Sequence, residues 1–274
     1  MGRVRSANRL SRRFRWRSGA VRAAVGTGTA LSLATGFGAG PAHATVDRQA
    51  PAEHHYYLEL GGTGAALPAP RCTYSYQYAN QALTADRNNI VVGVCYPASA
   101  GPWEAGNGKT PGFGSPSYDD SERQGYRNLL STAERIHRAD PHARYTIVGY
   151  SQGAQAADEV LQAIAERRTG IPAARVDGML YADPRQPRTG LEAVVPRGLS
   201  VFGFTSRGPG PADFAGIPVA RFCIRTDGVC DATTPLALPG FLQQHPRYQR
   251  PGGIMSLTLA HAGENGTFWY PADS

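Results

Sequence analysis

Four β-forming residues, Tyr145-Thr146-Ile147-Val148, lead into Gly149-Tyr150-Ser151-Gln152-Gly153 and then into a helix-forming stretch from Ala154 to about Arg167. Few local arrangements limit a fold so closely. A serine on the sharp turn between a strand end and a helix sits in a strained backbone conformation, and side chains two residues to either side would clash there. Glycines at 149 and 153 remove the clash. The helix that begins at the turn aims its free amide N–H groups at the serine, where they can stabilise an oxyanion. In this strand–turn–helix context the pattern marks Ser151 as a candidate nucleophile.

Apolar runs at 56–60, 90–95, 145–148, 176–181, 199–204 and 219–224 are predicted strands, and the run at 90–95 is continuous, as in a buried parallel strand. A helix is expected from Asp119 or Asp120 to about Arg138, capped by Asp or Ser, with Leu129, Leu130, Ala133 and Ile136 on its apolar face. Residues 99–117 are rich in Gly, Pro and Ser and form a long loop that holds Trp103 and Phe113. Phe241-Leu242 start a turn or short helix, and 254–260 is compatible with helix or strand. Strands alternating with helices give an α/β class with a mainly parallel sheet covered on both faces.

The first 44 residues read as a secretory signal. Eight arginines and no acidic residue precede an apolar but glycine-diluted stretch and the small-x-small signal Ala42-His43-Ala44, and Arg12-Arg13 suggests the twin-arginine route. A single domain then spans 45–274. Of 28 basic side chains, 8 lie in the leader, so the remainder carries 20 against 21 acidic ones and a formal charge of −1. The basic pI of the whole chain therefore gives no argument for a nucleic-acid partner. Four cysteines in an exported chain indicate two disulfides. Three pairings exist, and the short spacing favours Cys223–Cys230, leaving Cys72–Cys95. Neither Cys-x-x-Cys nor His-x-x-x-His is present to suggest a metal site.

A serine hydroxyl needs a base, and the base needs an orienting acid. Where the nucleophile sits on such an elbow the chain order is Ser, acid, His. That leaves His245 and His261 as bases. The acids are Asp227, with Asp183 and Asp231 as alternatives. Asp227 is favoured because it lies between Cys223 and Cys230, whose disulfide would hold its loop. His245, beside Pro246, is favoured over His261, which follows the apolar run 257–260.

Gly149-Tyr-Ser-Gln-Gly-Ala154, Asp227-Gly-Val-Cys230 and His245-Pro-Arg-Tyr248 together resemble the cutinase-like serine esterases. Gly61-Gly-Thr-Gly64, the run 117–125 and Ala182-Asp-Pro-Arg-Gln-Pro-Arg-Thr-Gly190 are similar to the actinobacterial PE-PPE hydrolase domain. The resemblance covers roughly 56–250. It implies an α/β-hydrolase fold and hydrolysis of small, lipid or polymer acyl esters without cofactor. It also implies an oxyanion hole from the N–H of Gln152 and the N–H and hydroxyl of Thr63. A monomer in the extracellular space or cell wall, in contact with envelope lipid, is the expected setting. Two other outcomes fit the same residues: acyl transfer to an envelope lipid or sugar, and a binding protein that keeps the fold without activity. Trp103, Trp269 and the tyrosines are candidates for an acyl groove.

Overall fold

A computed structural model describes residues 53–65 and 71–272; the expected export signal lies outside the described residues. Six parallel strands form the central sheet. They are β1 (His55–Leu60), β2 (Asn89–Gly93), β3 (Arg144–Tyr150), β4 (Val176–Tyr181), β7 (Val219–Ile224) and β8 (Gly266–Tyr270), in the order β2-β1-β3-β4-β7-β8. Between β4 and β7 lie a short helix, α4 (Leu191–Val194), and two two-residue strands, β5 (Ser200–Val201) and β6 (Phe204–Thr205).

One sheet face is covered by α2 (Tyr118–Ala139) and α3 (Gln152–Ala165). The other carries α1 (Gln77–Leu83) and α6 (Ile254–Thr258), and a further helix, α5 (Ala237–Gln243), lies between β7 and α6. In α2, Leu129, Ala133 and Ile136 fall on one stripe and pack under the sheet. Its N-terminus is capped by Ser117, whose Oγ accepts from the Asp120 N–H at 3.1 Å. In α3, Ala156, Ala157, Val160, Leu161 and Ile164 are all buried, so this helix packs closely against the sheet.

The strand order turns back at β1, which has β2 on one side and β3 on the other. In an open parallel sheet, the loops leaving two neighbouring strands at such a reversal part and leave a crevice at their carboxyl ends. The loop Gly61-Gly62-Thr63 leaves β1 there and Ser151 leaves β3. The topology alone thus brings two distant motifs of the sequence together.

Several expectations are corrected. The run 90–95 is an edge strand, half-buried and ending at Gly93, instead of a buried one. The predicted strand 199–204 is the β5–β6 hairpin, outside the main sheet, with Phe202 and Gly203 at positive φ in its turn. Its apolar residues Leu199, Val201 and Phe202 face solvent. The ambiguous stretch after 254 is helical, and β8, which no hydrophobic run marked, is the sheet's outer strand. Trp269 on β8 lies beneath the Arg225 guanidinium, 4.1 Å from the ring centre, and does not line the cleft at Ser151.

Candidate active site

Ser151 has φ 55° and ψ −122°, a conformation that L-residues avoid. Both glycines of the motif are explained by backbone approach. A Cβ on Gly149 would lie 2.4 Å from the Gly153 carbonyl oxygen, and one on Gly153 would lie 2.5 Å from that of Gly61. The Ser151 N–H donates to the Tyr181 carbonyl at 3.0 Å, which fixes the elbow to β4.

The structure brings Ser151, His245 and Asp227 into one hydrogen-bonded row. His245 Nε2 is 2.9 Å from Ser151 Oγ, and His245 Nδ1 is 3.0 and 3.1 Å from the two Asp227 oxygens. Asp227 is fully buried, and its Oδ1 also accepts from the Val229 N–H at 3.1 Å. The Cys223–Cys230 disulfide closes the loop that carries it, and Cys72–Cys95 is the second bridge. Helix α5, just ahead of His245, sits directly on that loop. A Cβ on Gly240 would come within 1.7 Å of the Thr226 carbonyl oxygen, and one on Gly228 within 2.4 Å of that of Ala237. Two bare glycines therefore set the distance between His245 and Asp227.

The imidazole is held by aromatic rings. Tyr150 stacks at 5.0 Å between ring centres and Phe241 at 5.1 Å, while the Tyr150 hydroxyl donates to the His245 carbonyl at 2.5 Å. Tyr248 approaches edge-on at 6.2 Å, and its hydroxyl accepts from the Ile224 N–H. Burial and the Asp227 charge push the phenols of Tyr150 and Tyr248 well above the ordinary value, so both remain neutral donors.

The remaining candidates lie elsewhere. His261 is exposed, its Nδ1 3.1 Å from the Leu257 carbonyl. Asp183 is buried against Arg221 at 3.0 Å and accepts the Arg185 N–H. Asp231 braces the loop by accepting from the Thr226 N–H at 2.9 Å.

Thr63 borders the cleft, and neither its N–H nor its hydroxyl has a hydrogen-bond partner among the described residues; the Gln152 N–H is likewise unspent. The Gln152 side chain points away, donating to the Ser99 carbonyl at 3.0 Å and accepting from Ser121 Oγ at 3.2 Å. Two buried tyrosines that the sequence did not single out steady the Thr63 loop. Tyr76 donates to the Leu60 carbonyl at 2.8 Å and Tyr96 to that of Gly61 at 2.7 Å. Gly61 passes so close to Cys72 that a Cβ would lie 2.6 Å from its carbonyl oxygen.

Above this row opens a cleft of about 870 Å³, edged by Tyr74, Tyr78, Trp103, Phe204 and Phe241. The long loop 99–117 contributes Ala100, Trp103, Glu104 and Gly108 to its wall and leaves it open. Among the described residues no three His, Cys, Asp or Glu side chains gather as a metal site.

A six-stranded parallel sheet with a strained serine at the end of β3, facing a histidine, defines a serine hydrolase of the α/β type. Solved structures with this fold include a cutinase-like protein from Cryptococcus sp. It is 19% identical, with a TM-score of 0.50 over 74% of this chain and 90% of that one. The catalytic core domain of acetyl xylan esterase from Trichoderma reesei is also similar, at 20% identity and a TM-score of 0.48 over 76% of this chain and 96% of that one. No curated protein matches the chain in sequence. The family model for Cutinase matches residues 70–256, and the chain belongs to that family of serine carboxylic ester hydrolases.

Proposed function

We propose that the protein is an exported esterase in which Ser151 is the nucleophile, His245 the base and Asp227 the orienting acid. The observation that carries this reading is the unbroken row from Ser151 Oγ through His245 to buried Asp227. With Asp227 accepting the Nδ1 proton, Nε2 is left with a lone pair aimed at the serine hydroxyl. As Oγ bonds to the ester carbonyl carbon, its proton passes to Nε2, and Asp227 stabilises the imidazolium. The carbonyl oxygen becomes an oxyanion that receives hydrogen bonds from the Gln152 and Thr63 N–H groups and the Thr63 hydroxyl. Collapse breaks the bond to the alcohol, which leaves with the Nε2 proton. Water, deprotonated by the same nitrogen, then releases the acid from Ser151.

Two disulfides support an oxidising extracellular setting. One catalytic domain following a cleaved leader at 1–44, acting as a monomer on ester substrates at the cell envelope, completes the reading. A second reading, acyl transfer, is favoured by the width of the cleft, which leaves room for an acceptor alcohol beside an acyl chain.

Both are tested on p-nitrophenyl esters of two to sixteen carbons, with and without added alcohols. Ser151→Ala and His245→Ala should each lose at least about a thousandfold in kcat, while His261→Ala stays within about twofold. Full activity in Ser151→Ala refutes the mechanism. New esters formed at the expense of free acid would establish transfer.

A further inference from the structure

Glu104 is the feature of the cleft that the ester-hydrolysis row leaves unused. It stands in the wall formed by loop 99–117, next to Trp103, in a cavity otherwise edged largely by aromatic rings. Its backbone is fixed: the Glu104 N–H donates to the Ala100 carbonyl at 3.0 Å, and the Glu104 carbonyl accepts from the Ala100 N–H at 2.8 Å. Gly112 presses against the same turn, where a Cβ would be 2.4 Å from the Glu104 carbonyl carbon. The side chain reaches over to the Thr63 loop, with Oε1 2.8 Å from where a Cβ on Gly64 would stand. This half-buried carboxylate has no hydrogen bond or ion pair among the described residues. Burial raises its pKa while the neighbouring His245 opposes the rise.

A carboxylate carried on a fixed turn in the cleft wall, with no protein donor of its own, is left to accept hydrogen bonds from whatever occupies the cleft. The other polar side chains on the cleft wall are hydroxyls, the amides of Gln77 and Gln249, His245 and Arg250, with no second carboxylate among the described residues, so the cavity carries no strong negative field that would single out a cation. Trp103 lines the same cleft and is 56% accessible, with Phe202 edge-to-face against it at 5.4 Å between ring centres. Acceptor oxygens and an accessible aromatic ring in the wall of one cleft suit a ligand ring that carries hydroxyls on its edge and C–H groups on its face.

Resting on the esterase reading above, we propose that Glu104 determines specificity by accepting hydrogen bonds from an uncharged, polyhydroxylated part of the ester, a glycosyl unit packed against Trp103. A site built to bind hydroxyls rejects analogues that lack them, because its own polar group is then left unpaired.

The test compares 6-O-butyryl-glucose, ethyl butyrate and butyrylcholine in wild type, Glu104→Gln and Glu104→Ala, with fluorophosphonate labelling of Ser151 as a check on the intact site. Both variants should label at the wild-type rate. Their kcat/KM on the glucose ester should fall about tenfold or more, chiefly through KM, as loss of hydrogen bonds to a charged group requires. Ethyl butyrate should change less than about threefold. Equal loss on the glucose and ethyl esters, slow labelling of both variants, or no change on any ester would overturn the proposal. A loss confined to butyrylcholine would also overturn it, in favour of a cation site. Wild-type inactivity on all three esters would sink the esterase reading along with it, whereas turnover of ethyl butyrate separates the two failures.

Discussion

Replacing Glu59 by glutamine is expected to stabilise the protein at neutral pH and to leave its stability unchanged near pH 4.5. Glu59 lies on β1 with no exposure to solvent. Its Oε2 accepts from Asn80 Nδ2 at 3.0 Å, but Glu59 Oε1 and Asn80 Oδ1 have no partner in the described structure. Two open acceptor oxygens in one buried pair lack a donor, and a proton on the carboxyl supplies it. Burial accordingly pushes Glu59 up to about 8 from 4.5, against the opposing pull of the Asn80 hydrogen bond. The neighbouring titratable groups, Tyr76 and Tyr181, are themselves pushed upward and stay neutral throughout this range.

Because the folded value is the higher one, the folded state takes up a proton that the unfolded chain has released. The stability this group contributes is therefore greatest below about pH 4.5, declines as pH rises, and levels off above about 8. At pH 7 the cost of that proton approaches a ceiling of about 3 kcal/mol, at about 1.4 kcal/mol per pH unit. Glutamine offers the same shape and a permanent N–H donor, so the variant should be more stable by about 1–3 kcal/mol at pH 7. Urea titrations of both proteins at pH 4.5, 6 and 8, with disulfides intact, measure the difference. Other buried carboxylates, such as Glu122 and Asp158, are common to both proteins and cancel in that difference. A Gln variant whose stability difference from wild type does not change with pH would refute the reasoning, since it would mean that burial does not shift the Glu59 carboxyl.

Three further perturbations probe the site. Thr63→Val keeps the backbone N–H and removes the hydroxyl, so kcat should fall about tenfold to a hundredfold with KM little changed, read on p-nitrophenyl butyrate. Gly240→Ala places a methyl group against the Thr226 carbonyl; activity should be lost while near-native secondary structure by circular dichroism persists. The double change Cys223→Ser with Cys230→Ser opens the Asp227 loop and should cost about 2–3 kcal/mol in chemical denaturation, together with a drop in kcat. Activity unchanged by either loop variant would show that the base and acid do not depend on this packing.

Much of the scaffold was legible because β1, β3, β4 and β7 are short apolar runs closed off by turn residues, which is what a strand buried on both faces requires. The same rule misled at 199–204, where exposed Leu199, Val201 and Phe202 imitate a core strand, and it missed β8, whose half-exposed position asks for no continuous apolar run. In the site, chain order narrowed the choice to three aspartates and two histidines, the flanking cysteines favoured Asp227, the loop beside Pro246 favoured His245, and these two lie together with Ser151. Asp183 passed the same test of order, and in the structure its buried partnership with Arg221 sets it apart. Tyr76, Tyr96 and Phe241 gave no local signal, because each acts through contacts made by residues distant in sequence or through a ring packed from the side.

The notch formed by Gly228 and Gly240 has a consequence for how the enzyme fails. Ser151 and the Thr63 loop leave adjoining strands in the middle of the sheet and share its stability. His245 rides on a short segment after β7 that is clasped to the domain by close backbone contact at Gly228 and Gly240, by the Tyr150 hydroxyl on the His245 carbonyl and by the Tyr248 hydroxyl on the Ile224 N–H. Local opening of that segment with the sheet intact would part His245 from Ser151. Warming should therefore extinguish turnover several degrees before the sheet melts, and cooling should restore it, so that the working temperature is set by the clasp.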